Sequence, residues 1–240
     1  PLIAPNAICS GSYGQLWHWQ VRQQSFDDVT FLQTVGNEMR PYLPRCLNLK
    51  TLRIDGFEVD CTLPTLQDLD QLTSVSAFRG GRLNIAGLAG CEALITILLE
   101  NVGEIAGLDI VWTLPSLREL NLADRSRSED RMRVRRVTGR MDRARADTTG
   151  KLSVRPVDLG TISGPGVLEL LNLRGRELPS IRPLLVLTKL VTLDLGDTAL
   201  SDIAGIDELS ELEKLAIDHN LVTDITPLLD LPALKEVWLN

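Results

Sequence analysis

Apolar residues in the second half of the chain recur at a fixed interval. Laying residues 190–212 over 212–234 brings Leu190, Leu193, Leu195, Leu200, Ile203, Ile206 and Leu209 onto Leu212, Leu215, Ile217, Val222, Ile225, Leu228 and Leu231, a period of 22 residues. One further step back gives Leu168, Leu171, Leu173, Leu178, Ile181, Leu184 and Leu187 in the same register. Earlier copies start at Leu49, Leu72, Leu94 and Leu117, spaced by 23, 22 and 23, and a final start at Leu234 runs into the last residues.

Each copy divides into two halves. The first alternates apolar and polar positions, the period-two signature of a half-buried strand. The second has apolar residues three apart, as in Asp202-Ile203 to Ile206 and Asp224-Ile225 to Leu228, which predicts a short helical turn with the aspartate as its N-cap. Pro or Gly recurs at one place in that half: Pro64, Gly87, Pro183, Gly205 and Pro227. One strand and one tight return cannot bury a face alone, so successive units must stack, their strands adding in parallel at ~4.8 Å each.

These residues resemble the leucine-rich repeat family, pattern LxxLxLxxN, in the short 22-residue class of bacterial internalin-type repeats. The resemblance covers roughly residues 43–123 and 165–240 and implies an α/β fold. That fold is a curved right-handed solenoid with a parallel sheet on the concave face and short helical or 3-10 turns on the convex face. Asn220 fits the family's asparagine position and Thr198 can stand in for it, whereas Phe57, Gly80, Val102, Arg125 and Arg176 depart from it. The array also resembles the C-terminal sensor of bacterial NACHT/STAND-type NTPases, whose upstream domain hydrolyses nucleotide. On that resemblance the chain is the ligand-sensing end of a larger signalling protein.

Two segments break the period. Residues 1–42 are rich in aromatic and other apolar side chains (Trp17, Trp19, Phe26, Phe31, Tyr42) and suit an N-terminal cap, or alternatively the tail of a preceding domain. Residues 124–164 interrupt the array between its two parts, 43–123 and 165–240. Within them, residues 124–147 hold nine arginines and five acids. This run reads as a solvated insertion replacing a degenerate repeat, as a basic arm for an acidic partner or nucleic acid, or as an altered reading frame. Pro1 at one end and a last strand without its return half at the other suggest a cut through a longer array.

Composition narrows the function classes. Of 240 residues 44 are leucine, while aromatics make up 4%, as suits one packing solution used repeatedly. The net charge of −7 argues against nucleic-acid binding outside the arginine run. Cys9, Cys46, Cys61 and Cys91 lack CxxC spacing, and Cys61 and Cys91 fall on or beside apolar repeat positions, so reduced thiols and a cytoplasmic setting are expected. No apolar run reaches the roughly 18–20 residues of a membrane span. His18 and His219 are the two histidines, and neither lies in an HExxH motif; no GxSxG is present, and Gly150-Lys151 lacks the rest of a phosphate loop. The aspartates of the later repeats occupy equivalent turn positions, so they read as caps instead of calcium ligands. No cofactor, metal or catalytic residue is expected.

What remains is a surface for a protein partner. Register directs Thr51, Arg53 and Asp55, then Ser74, Ser76 and Phe78, then Thr96, Leu98 and Glu100 outward from their strands. In the later repeats it directs Leu170, Asn172, Arg174, Asp194, Lys214, Ala216, Asp218, Glu236 and Trp238 outward. Large apolar groups beside arginines are what binding hot spots use, although scattered exposed apolar groups are also normal. The expected concave-face site comprises Arg53, Phe78, Arg79, Leu98, Glu100, Leu170, Arg174, Asp194, Lys214, Asp218 and Trp238.

Overall fold

The computed structural model describes residues 7–9, 29–35, 40–57, 60–125, 155–162 and 167–239. His18 and most of the expected cap, nearly all of the arginine run 124–147, and Asn240 lie outside the described residues. The chain forms two compact units, Pro1–Leu120 with Leu159–Leu168, and Asn121–Asp158 with Glu169–Asn240. Each has the leucine-rich-repeat architecture: parallel strands one repeat apart, returned by short 3-10 turns.

In the first unit, strands β1 (Ala7–Cys9), β2 (Phe31–Val35), β3 (Thr51–Asp55), β5 (Ser74–Asn84) and β6 (Thr96–Ala106) pair in parallel in that order, and β4 (Cys61–Thr62) adds to the far half of β5. The repeat leucines make this order: Leu52, Val75 and Ile97 are partners in the ladder, all fully buried, as are Leu49, Leu72 and Leu94 at the strand entrances. The alternate residues Thr51, Ser74 and Thr96 form the next column, half-exposed on the other face. Two strands, β1 and β2, come from the aromatic-rich segment before residue 42. Leu32 pairs with Leu52 only 20 residues on, a shorter step than the period, so the periodicity did not reach it.

The returns are the 3-10 turns η1 (Arg40–Arg45), η2 (Ala86–Leu88) and η3 (Leu108–Thr113). Beyond η3, buried Trp112 donates its indole N–H to the carbonyl of Leu159 at 2.6 Å. That bond ties residue 159, which lies past the arginine run, into this unit.

In the second unit, β9 (Leu170–Asn172), β11 (Thr192–Asp194), β12 (Lys214–Ala216) and β13 (Glu236–Trp238) pair in parallel. Their columns are Leu171, Leu193, Leu215 and Val237 toward the core, and Leu170, Thr192, Lys214 and Glu236 outward. A short parallel pair, β8 (Arg155–Pro156) with β10 (Arg176–Glu177), lies beside them. The returns are η4 (Arg182–Leu184), η5 (Ile206–Glu208) and η6 (Thr226–Asp230). The expected aspartate caps act one step earlier than predicted. Asp202 accepts the Ala204 N–H and Asp224 the Thr226 N–H, both at 2.9 Å, making Asx turns that lead into the returns. The residues next to η5 and η6 are Gly205 and Ile225, which carry no side-chain cap.

A corner follows each strand's first leg, marked by one left-handed residue per repeat: Gly56, Arg79 and Asn101 in the first unit, Gly175, Asp197 and His219 in the second. The next position is the family's asparagine site, and the two units fill it differently. In the second unit Asn220 donates to the carbonyls of Leu195 (2.7 Å) and Ile217 (3.0 Å). Its side-chain oxygen accepts the N–H groups of Thr198 and Leu200. Thr198 is fully buried, its hydroxyl donating to the Leu195 carbonyl at 2.8 Å and to Asn220 at 3.0 Å. Arg176, 1% exposed, donates its Nε–H to the Leu122 carbonyl at 2.7 Å.

The first unit has Phe57, Gly80 and Val102 at this site, and its strands β5 and β6 run on for 11 residues each. Ladder pairs Gly80–Val102, Arg82–Glu104 and Leu83–Ile105 continue past the corner. Backbone therefore does there what asparagine does in the family pattern, and an apolar stack can replace the polar side chain. The ring of Phe57 lies against Gly80 so closely that a Cβ there would sit 2.0 Å from it.

Candidate functional site

The outward columns of the two sheets are the surfaces that register predicted, and each has its own electrostatics. On the first unit, Arg53 is an exposed residue whose guanidinium lies 4.6 Å from the centroid of the half-buried Phe78 ring. Its Nε–H also donates to Asp55 at 3.0 Å. Asp55 accepts a second bond, 2.8 Å, from the Gln33 amide on β2. The result is a cation held between an aromatic face and a carboxylate, drawn from three successive strands. Leu98 and Glu100 continue the same columns on β6, both half-buried. Arg79 is exposed but stands at the left-handed corner (φ 56°), beyond the flat part of the face.

On the second unit, Arg174 reaches across two repeats. Its Nε–H donates to Asp194 at 3.0 Å and one terminal nitrogen to Asp218 at 2.9 Å, while the other terminal nitrogen bonds the second Asp218 oxygen. The three side chains are 18–22% exposed. The hydrogen bond from Arg174 holds the Asp218 carboxyl below the usual carboxylate range, and the same bond pushes the guanidinium pKa up. Gly196 makes room for this clamp: a Cβ at that position would lie 2.3–2.4 Å from the guanidinium. Asp194 also accepts the Gly196 N–H at 3.0 Å.

The remaining charges on this face pair one repeat apart. Lys214 meets Glu236 at 3.1 Å, Lys235 meets Glu213 at 2.6 Å, and Lys189 pairs with Glu211. Such exposed pairs are worth little individually. Leu170 is half-buried on β9, and Trp238, in register with Ala216, is 49% exposed on β13.

The predicted site residues thus fall into two sets, Arg53, Phe78, Arg79, Leu98 and Glu100 on one unit and Leu170, Arg174, Asp194, Lys214, Asp218 and Trp238 on the other. Arg174, Asp194 and Asp218 are engaged with one another, and Lys214 with Glu236. Ser76, Asn172 and Ala216, expected to face outward, are 7–9% exposed because larger neighbours in the columns cover them. Gln33 was missed, since it lies in a strand outside the period. The partnerships across repeats were legible in principle: Asp218 follows Arg174 by two full repeats, placing them in one column.

Cys46, Cys61 and Cys91 are free and buried, and burial pushes the thiols of Cys46 and Cys91 up to about 11. These thiols are packing groups, poor as nucleophiles. Among the described residues there is no cluster of potential metal ligands, and no helix is long and apolar enough to cross a membrane.

No protein-family model matches the sequence, and no curated protein matches it either. Solved structures similar in fold are leucine-rich-repeat proteins. An internalin (InlF) of Listeria monocytogenes is 18% identical with a TM-score of 0.63, the match covering 88% of this chain and 54% of that one. A leucine-rich-repeat protein of Leptospira interrogans is 18% identical with a TM-score of 0.66, covering 89% and 49%. Internalin C2 of Listeria monocytogenes is 20% identical with a TM-score of 0.51, covering 90% and 82%. The chain spans about half the length of the first and second of these. The shared property is the fold, with repeats of the internalin kind.

Proposed function

We propose that the chain is a non-catalytic recognition module that binds a protein partner across the outward faces of its sheets. The observation that carries this reading is the composition of those faces. Phe78 with Arg53 in one unit, and Leu170 and Trp238 in the other, hold aromatic, aliphatic and guanidinium groups on rigid strands, where they lose little freedom on binding. The leucine-rich-repeat fold supports it by analogy alone.

The test is a protein partner captured by the intact chain and re-measured with Phe78→Ala and Trp238→Ala. Both side chains lie outside the leucine core, so the variants should fold and bind at least ten-fold more weakly, as expected of hot spots at about 1.4 kcal/mol or more. Unchanged affinity in both would sink the concave-face reading.

A cytoplasmic setting belongs to the same proposal. The sensor reading is the alternative: a Walker motif encoded upstream would support it. Nucleic-acid binding through 124–147 would show as salt-dependent affinity lost on deleting that run.

A further inference from the structure

The two faces differ in one respect that bears on what each can hold. On the first unit the aromatic ring already has its cation: Arg53 stacks on Phe78 and is anchored by Asp55. Phe78 pairs in register with Asp55, so the cation, the ring and the carboxylate come from neighbouring strands. On the second unit the corresponding aromatic is Trp238, in register with Ala216. Its diagonal neighbours on β12 are Lys214 and Asp218, which such geometry puts ~7–8 Å away. Lys214, the counterpart of Arg53, is drawn to Glu236. Among the described residues no cation lies over the Trp238 ring, which is 49% exposed.

Charge around the ring points the same way. Residues 191–234 contain ten carboxylates and one lysine. The basic groups on this face are already engaged, Arg174 by Asp194 and Asp218, Lys214 by Glu236, and Lys235 by Glu213. A carboxylate has roughly four acceptor sites, so these acids keep capacity for a further donor after their internal pairs form. An anionic segment would meet the same field as repulsion.

We infer that the sheet face of the second unit binds a basic polypeptide segment, with an arginine or lysine side chain seated on Trp238 between Asp218 and Glu236. The inference rests on the proposed function and names the chemistry of the partner. The first unit's Arg53–Phe78–Asp55 arrangement is the same contact made within one chain.

The experiment uses the full chain and three short synthetic peptides of equal length, one rich in Arg and Lys, one neutral and one rich in Glu. Affinity is read by fluorescence anisotropy at low and moderate salt for the wild type, Trp238→Ala, Trp238→Phe, and the double variant Asp202→Lys/Asp224→Lys on the return side. Preferential binding of the basic peptide is expected, weakened roughly five-fold by Trp238→Ala and largely retained by Trp238→Phe. The return-side variant should leave most of it intact, because those carboxylates face away from the strands.

Trp238-dependent binding of the neutral or acidic peptide would overturn the inference and leave the recognition reading standing. Basic-peptide binding that ignores Trp238 but disappears in Asp202→Lys/Asp224→Lys would overturn it as diffuse attraction to an acidic surface. No binding of any peptide would overturn it as well. Measurement of Phe78→Ala against a captured protein partner then decides the recognition reading separately.

Discussion

Gly196 tests whether the Arg174 clamp is a working part of the fold. Its φ lies outside the left-handed region, so alanine is compatible with the backbone, and the obstacle is the guanidinium 2.3–2.4 Å from the new methyl. Ordinary contact needs more than 3.4 Å, so Arg174 must withdraw by over an ångström, beyond the reach of its bonds to Asp218 at 2.9 Å and Asp194 at 3.0 Å. Charge-assisted bonds are worth about 1.5–3 kcal/mol, but these groups remain about one-fifth exposed and the freed charges regain water. Gly196→Ala should therefore cost about 2 kcal/mol, a fall in the urea midpoint on the order of 1 M. Urea is the suitable denaturant because it leaves the ion pairs unscreened. In the Arg174→Ala background the methyl meets nothing, so the same substitution should be nearly neutral, giving a coupling of about 2 kcal/mol. If Gly196→Ala costs the same in both backgrounds, the clamp is not what the glycine serves.

Three further outcomes are expected. Gly80→Ala, which drives a methyl into the buried Phe57 ring, should lower stability by about 1–3 kcal/mol in urea unfolding, with partial recovery in the Phe57→Leu background. Ala199→Gly should raise stability by about 0.5–1 kcal/mol in the same assay, because φ of 62° strains alanine more than glycine's extra chain entropy costs. Asp218 has a depressed folded-state pKa, so its contribution is fully present above the unfolded value of about 4 and is lost as pH falls through the folded value. The difference in urea midpoint between the wild type and Asp218→Asn should accordingly be constant from neutral pH to about pH 5 and shrink below about pH 4.

The leucine register was legible because burial of one strand face imposes it directly. Leu171, Leu193 and Leu215, or Leu52 and Ile97, are ladder partners at the spacing the sequence displays. Strands β1 and β2 escaped notice because a repeat 20 residues long does not advertise a period of 22. The corner was the harder part. Six residue types occur among its left-handed positions and their neighbours, and neither Arg79 nor His219 signals a positive φ by composition. The departures at Phe57, Gly80 and Val102 looked like loss of a family feature, yet they coincide with strands that extend through the corner. Of the candidate site, the outward columns could be read from alternation, whereas the engagement of Arg174 with two aspartates depends on side-chain reach that spacing alone does not fix.

The two ways of closing the corner give the halves of the molecule different failure modes. In the second unit the seal is made by the side chains of Asn220, Thr198 and Arg176, so a single substitution can unfasten one repeat and leave its neighbours zipped. In the first unit the seal is a run of main-chain ladder between β5 and β6, which opens only when the strands part. Amide hydrogen exchange should follow that division, with gradual, repeat-by-repeat leakage in the second unit and cooperative exchange across residues 80–84 and 102–106 in the first. Substitutions at the asparagine site would thus be tolerated in one stretch of the chain by the very architecture that makes it rigid.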